Sequence, residues 1–458
     1  MRRAAALILL LVLYAATSLS WLIVIPPFDA PDEIAHYDHA RYIAVTGHLP
    51  DHVPATVQEG DWYVSHWPQP PLYYLLLSPI IRGIRAEAVA PLHFVAFDPA
   101  DESIAGPTAR RVIFQERGDR PATRALYLGR LLSWTFGAGL VVALFAALGH
   151  TGASERTRTL LIASLLLVPS FTGNLVMVNN DSLAALTAAV AVAALFRLVT
   201  RVHAPGTAAW FMSGLLIGLA LLSKSTTSFL LPMAALGATM GAERSVPVVV
   251  RRVLVMGLGV LLCVGPGAIR NWLVFGDPFA STLATVLRRF NPPPPSWTFW
   301  GPTLYVEVSR ALFEGFAAQF GYTSAMPRAH GVWLMYGLAA AGVLLLAAIA
   351  TIGLAILGRG TPPEIRVARL AVVGLLAHLA ALYGINSVVY AAAGRHMLPI
   401  VAPALALVYL GGVLIVRPLA RHGRAANARL VPAGIVVGLA ACWVSVFVDL
   451  AMRFRFGG

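Results

Sequence analysis

The chain has 458 residues, of which 58% are hydrophobic and only 12% charged, with a formal net charge of +13. A soluble globular domain carries about 25% charged residues, so a water-soluble fold of this size is excluded. The positive charge would suggest nucleic acid in a soluble protein, but the placement of the arginines gives it a membrane explanation instead.

In chain order, apolar runs occupy 4–25, 125–148, 159–178, 182–200, 209–223, 225–241, 253–275, 331–357, 367–390, 397–416 and 430–449. They make about eleven spans, each at or near the length that crosses a ~30 Å hydrocarbon core at ~1.5 Å per residue. The expectation is an all-α polytopic membrane protein. With the N-terminus in the cytoplasm, the short inside loops hold Arg2 and Arg3, Arg156 and Arg158, Arg197 and Arg201, Arg244, Arg251 and Arg252, Arg359, Arg366 and Arg369, then Arg417, Arg421, Arg424 and Arg429. Every inside loop is arginine-rich, as the positive-inside rule requires. Of the 21 acids, only Glu155, Glu243 and Glu364 fall inside. A cleavable signal peptide is the alternative for residues 1–25, against which stands a full-length apolar run followed by further spans. Cys263 and Cys442 sit in apolar runs and read as small core residues.

The spans divide the chain into a first transmembrane helix (1–25), an outer loop carrying an acidic motif (26–124), helices two to seven (125–275), a second outer loop (276–330) and helices eight to eleven (331–458). In the first loop Asp29-Ala-Pro-Asp-Glu is a helix start, with Asp29 as N-cap and Pro31 in the first turn. A helix from there to about Ala44 sets Asp32, His36, His39 and Ile43 on one face and Ile34, Tyr37 and Arg41 on another. It is expected to lie at the membrane surface. The run after Pro70-Pro71 ends at Arg82 after about a dozen residues, too short to span, so it reads as a re-entrant or interfacial helix. Residues 86–124 read as an exposed loop, Pro292–Pro295 as a stiff extended stretch, and 303–320 as a helix packed on the outer face.

Ionisable residues beside membrane spans are functional candidates by default. Asp32 and Glu33 are adjacent, so on a helix they point about 100° apart and do not form a paired acid and base. Asp32, near a helix N-terminus, suits a carboxylate that accepts a proton from a hydroxyl; the plainer reading is that both acids cap a surface helix. Asn180 and Asp181, where the fourth span begins, serve equally as a turn and cap or as a second acidic site. Lys224 is the only lysine among 34 basic residues and sits in a hydroxyl-rich notch between two short spans. It suits a phosphate, or else it snorkels to the headgroups. Arg130, Arg270 and Arg395 fall on the same outer face, where single arginines also act as anchors. Asp32 and His36, with His39 at helical spacing, leave a divalent metal open, and no cofactor is otherwise indicated. No GxxxxGK[ST], Rossmann glycine pattern, HExxH or GxSxG is present, so the chain lacks a nucleotide engine of its own.

These motifs fall in a definite order: PDE-x-x-H (Pro31–His36), QPPLYYLL (Gln69–Leu76), RL-x-S (Arg130–Ser133), Asn180-Asp181, GL-x-x-GLALLSK (Gly214–Lys224), RNW-x-x-FGDP (Arg270–Pro278) and GR-x-x-LP (Gly394–Pro399). In that order, over roughly 20–400, the chain resembles the GT-C superfamily of integral-membrane glycosyltransferases. The resemblance is to its protein mannosyltransferase and aminoarabinose transferase branch, and within it to a bacterial subfamily with a PPDE-x-x-H first loop.

The resemblance implies a GT-C-like fold. It implies transfer of a sugar from a polyprenyl-phosphate donor to an acceptor hydroxyl of a glycan, lipid or protein, usually with inversion, on the non-cytoplasmic face. It makes Asp32 the general base with Glu33 beside it, Asp181 the second acid, and Lys224, Arg130, Arg270 and Arg395 the groups that meet the carrier phosphate. His36, His39 and Asn180 join them as substrate contacts. Gln69 stands where many relatives have histidine or a basic residue, which puts a phosphate contact there in doubt. The lipid bilayer is the other expected partner, and nucleic acid is not. The alternative is a transporter or flippase of lipid-linked glycans, which should show inverted-repeat halves with interrupted spans near the midplane. No such symmetry is visible.

Sidedness can be tested directly. Single cysteines at positions 54, 107 and 294 should react with an impermeant thiol reagent on intact cells, and one at 422 should not. Labelling at 107 only after permeabilisation would reverse the orientation.

Overall fold

The computed structural model describes residues 3–25, 27–28, 30–51, 69–86, 120–240, 243–278, 293–317, 330–389, 393–421 and 430–456. Every regular element among them is helical. Seven described helices are long and apolar enough to cross a membrane: Arg3–Val24, Pro121–Gly149, Asp181–Thr200, Val246–Phe275, Gly331–Ile356, Pro362–Asn386 and Gly394–Arg417. Thr207–Ser223 and Val437–Asp449 are shorter apolar helices.

Helix α1 (Arg3–Val24) leads through a tight turn into α2 (Glu33–Thr46). Its N-cap is Asp32, not Asp29, which lies outside the described residues. Phe28 and Asp32 both have positive φ, 60° and 59°, so no continuous helix can begin before Glu33. Gly47, at φ 78°, closes α2 by returning its N–H to the Ile43 carbonyl, a left-handed cap that glycine adopts without strain. The short helix expected after Pro71 is α3 (Leu72–Gly83); most of the loop read at 86–124 lies outside the described residues.

Helix α4 (Arg120–Gly149) is a full span, but the apolar run 159–178 is not one. It forms α5 (Glu155–Leu166) and α6 (Pro169–Asn174). Val168, held extended at φ −85° and ψ 114°, precedes a proline, where the helical conformation is disfavoured. Pro169 then starts a new helix. The chain turns and enters α7 (Asp181–Thr200), followed by α8 (Thr207–Ser223).

The run 225–241 also divides. A 3-10 turn over Ser225–Phe229 precedes α9 (Leu230–Thr239). In that turn the Thr227 hydroxyl donates to the Lys224 carbonyl at 2.8 Å, the local bonding by which serine and threonine compete with an α-helix.

The remaining helices are α10 (Val246–Phe275), the amphipathic α11 (Pro302–Ala317), α12 (His330–Ala350) with a π-helical turn over Thr351–Ile356, α13 (Pro362–Asn386), α14 (Val401–Arg421) and α15 (Leu430–Phe456). A 3-10 turn, Gly394–Ile400, joins α13 to α14. Residues 318–320 of the helix expected at 303–320 lie outside the described residues.

Association in lipid rests on close packing rather than on apolar transfer. Helices α8 and α10 show this: a Cβ added at Gly214 would lie 2.1 Å from the Met256 carbonyl oxygen, and one at Gly259 2.6 Å from that of Phe211. The alanine-rich face of α7, with Ala185, Ala188, Ala189, Ala191 and Val192 all buried, lies in the main core with side chains of α4, α8 and α13. A second core, under α2 and α3, holds Phe28, Tyr37, Tyr73, Tyr74, Leu77 and Ile81.

The end of α1, the starts of α4 and α7, the end of α8 and the turn before α14 therefore gather at one end of the bundle, with α2 among them. The opposite end carries arginines satisfied by helix ends: Arg158 on the Ala153 carbonyl, Arg252 on those of Ala238 and Glu243, and Arg417 on Glu364. Glu364 also completes a capping box with Thr361 at the start of α13.

Candidate active site

Two adjacent acids take opposite directions at the start of α2. Glu33 is fully buried and receives two bonds from Arg130, 2.9 Å from Nε to Oε1 and 2.6 Å from Nη2 to Oε2. Its Oε1 also accepts the Val178 amide at 3.0 Å, while Arg130 donates to the Ile25 carbonyl at 2.8 Å. One ion pair thus ties together the end of α1, α2, α4 and the turn before α7. Glu33 was expected beside the general base and Arg130 at the carrier phosphate; instead the two side chains bond each other inside the protein.

Asp32 points the other way, onto the guanidinium of Arg395. Arg395 also donates to the Pro31 carbonyl at 2.9 Å and lies 3.5 Å from Asp181 Oδ2. Asp181, the first residue of α7, is fully buried, and its Oδ1 accepts from Lys224 Nζ at 2.7 Å. Its backbone N–H is taken by Asn179 Oδ1 at 3.1 Å. The result is a chain of alternating charge, Asp32–Arg395–Asp181–Lys224, built from four separate parts of the sequence. Its members differ in exposure. The Asp32 side chain is 32% exposed, against 10% for Arg395, 6% for Lys224 and none for Asp181, so solvent reaches the network first at Asp32.

The positive φ of Asp32 is what lets neighbouring side chains diverge so far. Left-handed backbone at a residue other than glycine costs on the order of 1–3 kcal/mol and tends to survive at functional sites. Phe28, also in that region, is held by burial and an edge-to-face contact with Tyr37, ring centroids 5.2 Å apart.

Around this core, Asn180 donates from Nδ2 to Gln69 Oε1 at 3.1 Å and to the Ser223 carbonyl at 3.2 Å. Gln69, which departs from the basic residue of many relatives, thus holds the chain before α3 against α7. His36 Nδ1 lies 2.8 Å from the Tyr74 hydroxyl, and the His39 ring stacks on Tyr74 at 3.9 Å between centroids. Burial pushes the Tyr74 phenol well above its usual range, so it remains a neutral hydroxyl. The two histidines therefore pack α2 against α3 rather than standing open beside Asp32.

Arg270 lies apart from the four charges. It donates to the carbonyls of Leu49 and Pro50, beyond the end of α2. Its sequence position gave the correct end of the bundle but not the direction of the side chain. Among the described residues no three His, Cys, Asp or Glu side chains come together as metal ligands. Asp32 is engaged by Arg395, and His36 Nδ1 lies on Tyr74.

Three contributors carried no sequence signal of their own. His378, buried in α13, places Nδ1 3.2 Å from the Thr226 carbonyl and Nε2 2.9 Å from that of His396. It joins the turn after Lys224 to the turn bearing Arg395. A histidine in an apolar run reads as a core residue, and only the neighbouring Gly-Arg motif marked His396. Tyr74 was visible only as part of the QPPLYYLL motif.

A scan against protein-family models finds no match, and a search of the curated proteins finds none. Solved structures do match. The apo oligosaccharyltransferase of Archaeoglobus fulgidus superposes with a TM-score of 0.55 at 12% identity, over 98% of this chain and 56% of that one. AglB from the same organism, in complex with an inhibitory peptide and a dolichol-phosphate, gives 0.50 at 11% identity over 99% and 56%. ArnT from Cupriavidus metallidurans, bound to undecaprenyl phosphate, gives 0.44 at 15% identity over 97% and 76%. The chain has the GT-C fold. It spans just over half the length of the archaeal oligosaccharyltransferase.

Within this GT-C fold the Glu33–Arg130 pair should behave as structure. Glu33→Gln should lower the thermal unfolding temperature of the purified protein, because removing one partner of a buried pair costs about 3–5 kcal/mol. The double variant Glu33→Gln with Arg130→Met should recover part of that loss. Single variants as stable as the parent would show that the pair is not a structural clamp.

Proposed function

We propose that this protein is a glycosyltransferase that moves a sugar from a polyprenyl-phosphate-linked donor to an acceptor hydroxyl on the non-cytoplasmic face, with inversion. The observation that carries the reading is the Asp32–Arg395–Asp181–Lys224 chain of charges at one end of a GT-C bundle. Its fold relative AglB has been seen with a dolichol-phosphate. The arginines at the other end of the bundle support the sidedness, since that end matches the cytoplasmic surface by the positive-inside rule.

The chemistry follows from the charges. A phosphate oxyanion entering the network competes with Asp32 for Arg395 and with Asp181 for Lys224. Charge-assisted bonds to phosphate are among the stronger ones available. Arg395 turning to the phosphate releases Asp32, the most exposed acid of the network, and its carboxylate becomes free to act as base. The acceptor oxygen then bonds to the anomeric carbon as the bond from that carbon to the phosphate oxygen breaks. The hydroxyl proton passes to Asp32. The departing polyprenyl phosphate gains negative charge, which Lys224 and Arg395 stabilise. Attack opposite the leaving group inverts the anomeric centre. Asp181 remains ionised beside the two cations and takes them back when the phosphate leaves. Donor binding thereby uncovers the base only when a leaving group is present.

Transfer in nanodiscs, read as release of polyprenyl phosphate from a defined donor in the presence of a hydroxyl acceptor, tests the roles. Asp32→Asn should fold, retain donor binding and lose transfer by roughly two to four orders of magnitude. Lys224→Ala should weaken donor binding, and Lys224→Arg should restore only part, because a planar fork does not replace a compact ammonium. Wild-type transfer by Asp32→Asn would remove it as the base, and by Lys224→Ala would leave the lysine a structural counter-charge to Asp181.

A further inference from the structure

The four charges account for a phosphate and a base, yet beside them in the chain lie buried polar atoms that make no hydrogen bond. Asn180 is fully buried, and its Oδ1 makes no hydrogen bond. The orientation of that amide is fixed: its nitrogen faces the Ser223 carbonyl, which can only accept. Asp181 Oδ2 and His396 Nδ1 are likewise buried without a hydrogen-bond partner. His396 follows Arg395 directly and lies within electrostatic range of Lys224, Asp181, Arg395 and Asp32. Its backbone is fixed by His378, whose Nε2 lies 2.9 Å from the His396 carbonyl, so the imidazole is presented from a braced turn.

The character of these atoms says what they would meet. Asn180 Oδ1 and Asp181 Oδ2 can only accept hydrogen bonds, and an imidazole nitrogen takes either role according to its tautomer. A phosphate oxygen would be repelled by such a set, whereas a hydroxyl gives and accepts. Buried polar groups left unpaired are costly and are therefore markers of an absent partner. Cations and acceptors sit side by side, the arrangement that fits a sugar ring attached to a phosphate.

Resting on the glycosyltransferase reading above, we infer that His396 Nδ1 and Asn180 Oδ1 form a subsite for the ring hydroxyls of the donor sugar, next to the phosphate-binding Lys224 and Arg395. A site built to bond a hydroxyl discriminates against ligands that lack it, so these two residues would set which sugar is accepted.

The test compares binding of bare undecaprenyl phosphate with the same carrier loaded with a pentose, a hexose or an aminosugar, using the full chain in nanodiscs. The parent should bind at least one loaded carrier more tightly than the bare one. His396→Ala should leave the bare carrier within about twofold and weaken the preferred loaded carrier roughly 10- to 100-fold. His396→Asn, which keeps a polar atom near the Nδ1 position, should recover part of that loss. Asn180→Ala, with its melting temperature measured alongside, should show the same selective loss. Equal weakening of bare and loaded carriers by His396→Ala would overturn the subsite, as would a parent that binds no loaded carrier better than the bare one. A parent that binds no polyprenyl phosphate at all would instead overturn the glycosyltransferase reading, and the subsite with it.

Discussion

Asp181 is a fully buried carboxylate at the head of the innermost span, and the arrangement around it follows from the need to neutralise it. An ionised acid at membrane depth is tolerated only when paired. Here the partners are Lys224 at the end of α8 and Arg395 in the turn before α14, so one acid fixes the relative positions of three helices. Removing one member of such a network typically costs about 3–5 kcal/mol, and this ties the stability of this end of the bundle to the charges proposed to handle substrate. His378 braces the same two turns through their carbonyls, so Lys224 and Arg395 are held by backbone as well as by charge. Preorganised cations of this kind stabilise a departing phosphate without rearranging at the moment of reaction.

The two acids of the first loop divide the work by geometry. Glu33 closes inward on Arg130 and fastens α1, α2, α4 and α7 together. Asp32, one residue earlier, stays at the mouth of the network on an arginine that it shares with Asp181. The left-handed backbone at Asp32 makes the separation. Glu33 is locked by two bonds from Arg130 and by a backbone amide, whereas Asp32 is held by a shared arginine that a competing anion could take. Selection between two adjacent acids thus rests on one dihedral angle and on what lies on either side of it.

Much of this was legible in the sequence, and the exceptions have physical causes. Hydropathy found the spans at α1, α4, α7, α10 and α13, where the apolar run and the helix coincide. It joined α5 to α6 because apolar content does not register the break that Pro169 imposes at Val168. It read a span at 225–241 where hydroxyl side chains bond their own backbone and make a 3-10 turn. Lys224 was conspicuous as the sole lysine, and Asp32 and Asp181 as acids beside spans. What hydropathy and charge do not carry is direction: Arg130, Arg270 and Arg395 share one sign and one end of the bundle, yet they reach three different environments. His378 was silent because a histidine in an apolar stretch looks like packing until its carbonyl partners are seen, and His396 was marked only by the motif around it.

In the proposed reaction a lipid-linked phosphate binds by taking Arg395 and Lys224 from their carboxylates. A structure determined in nanodiscs with bound polyprenyl phosphate should show phosphate density within hydrogen-bonding distance of both Lys224 Nζ and the Arg395 guanidinium, with Asp32 released from Arg395 and facing the phosphate. Phosphate bound elsewhere, with the Asp32–Arg395 and Asp181–Lys224 pairs intact, would contradict it.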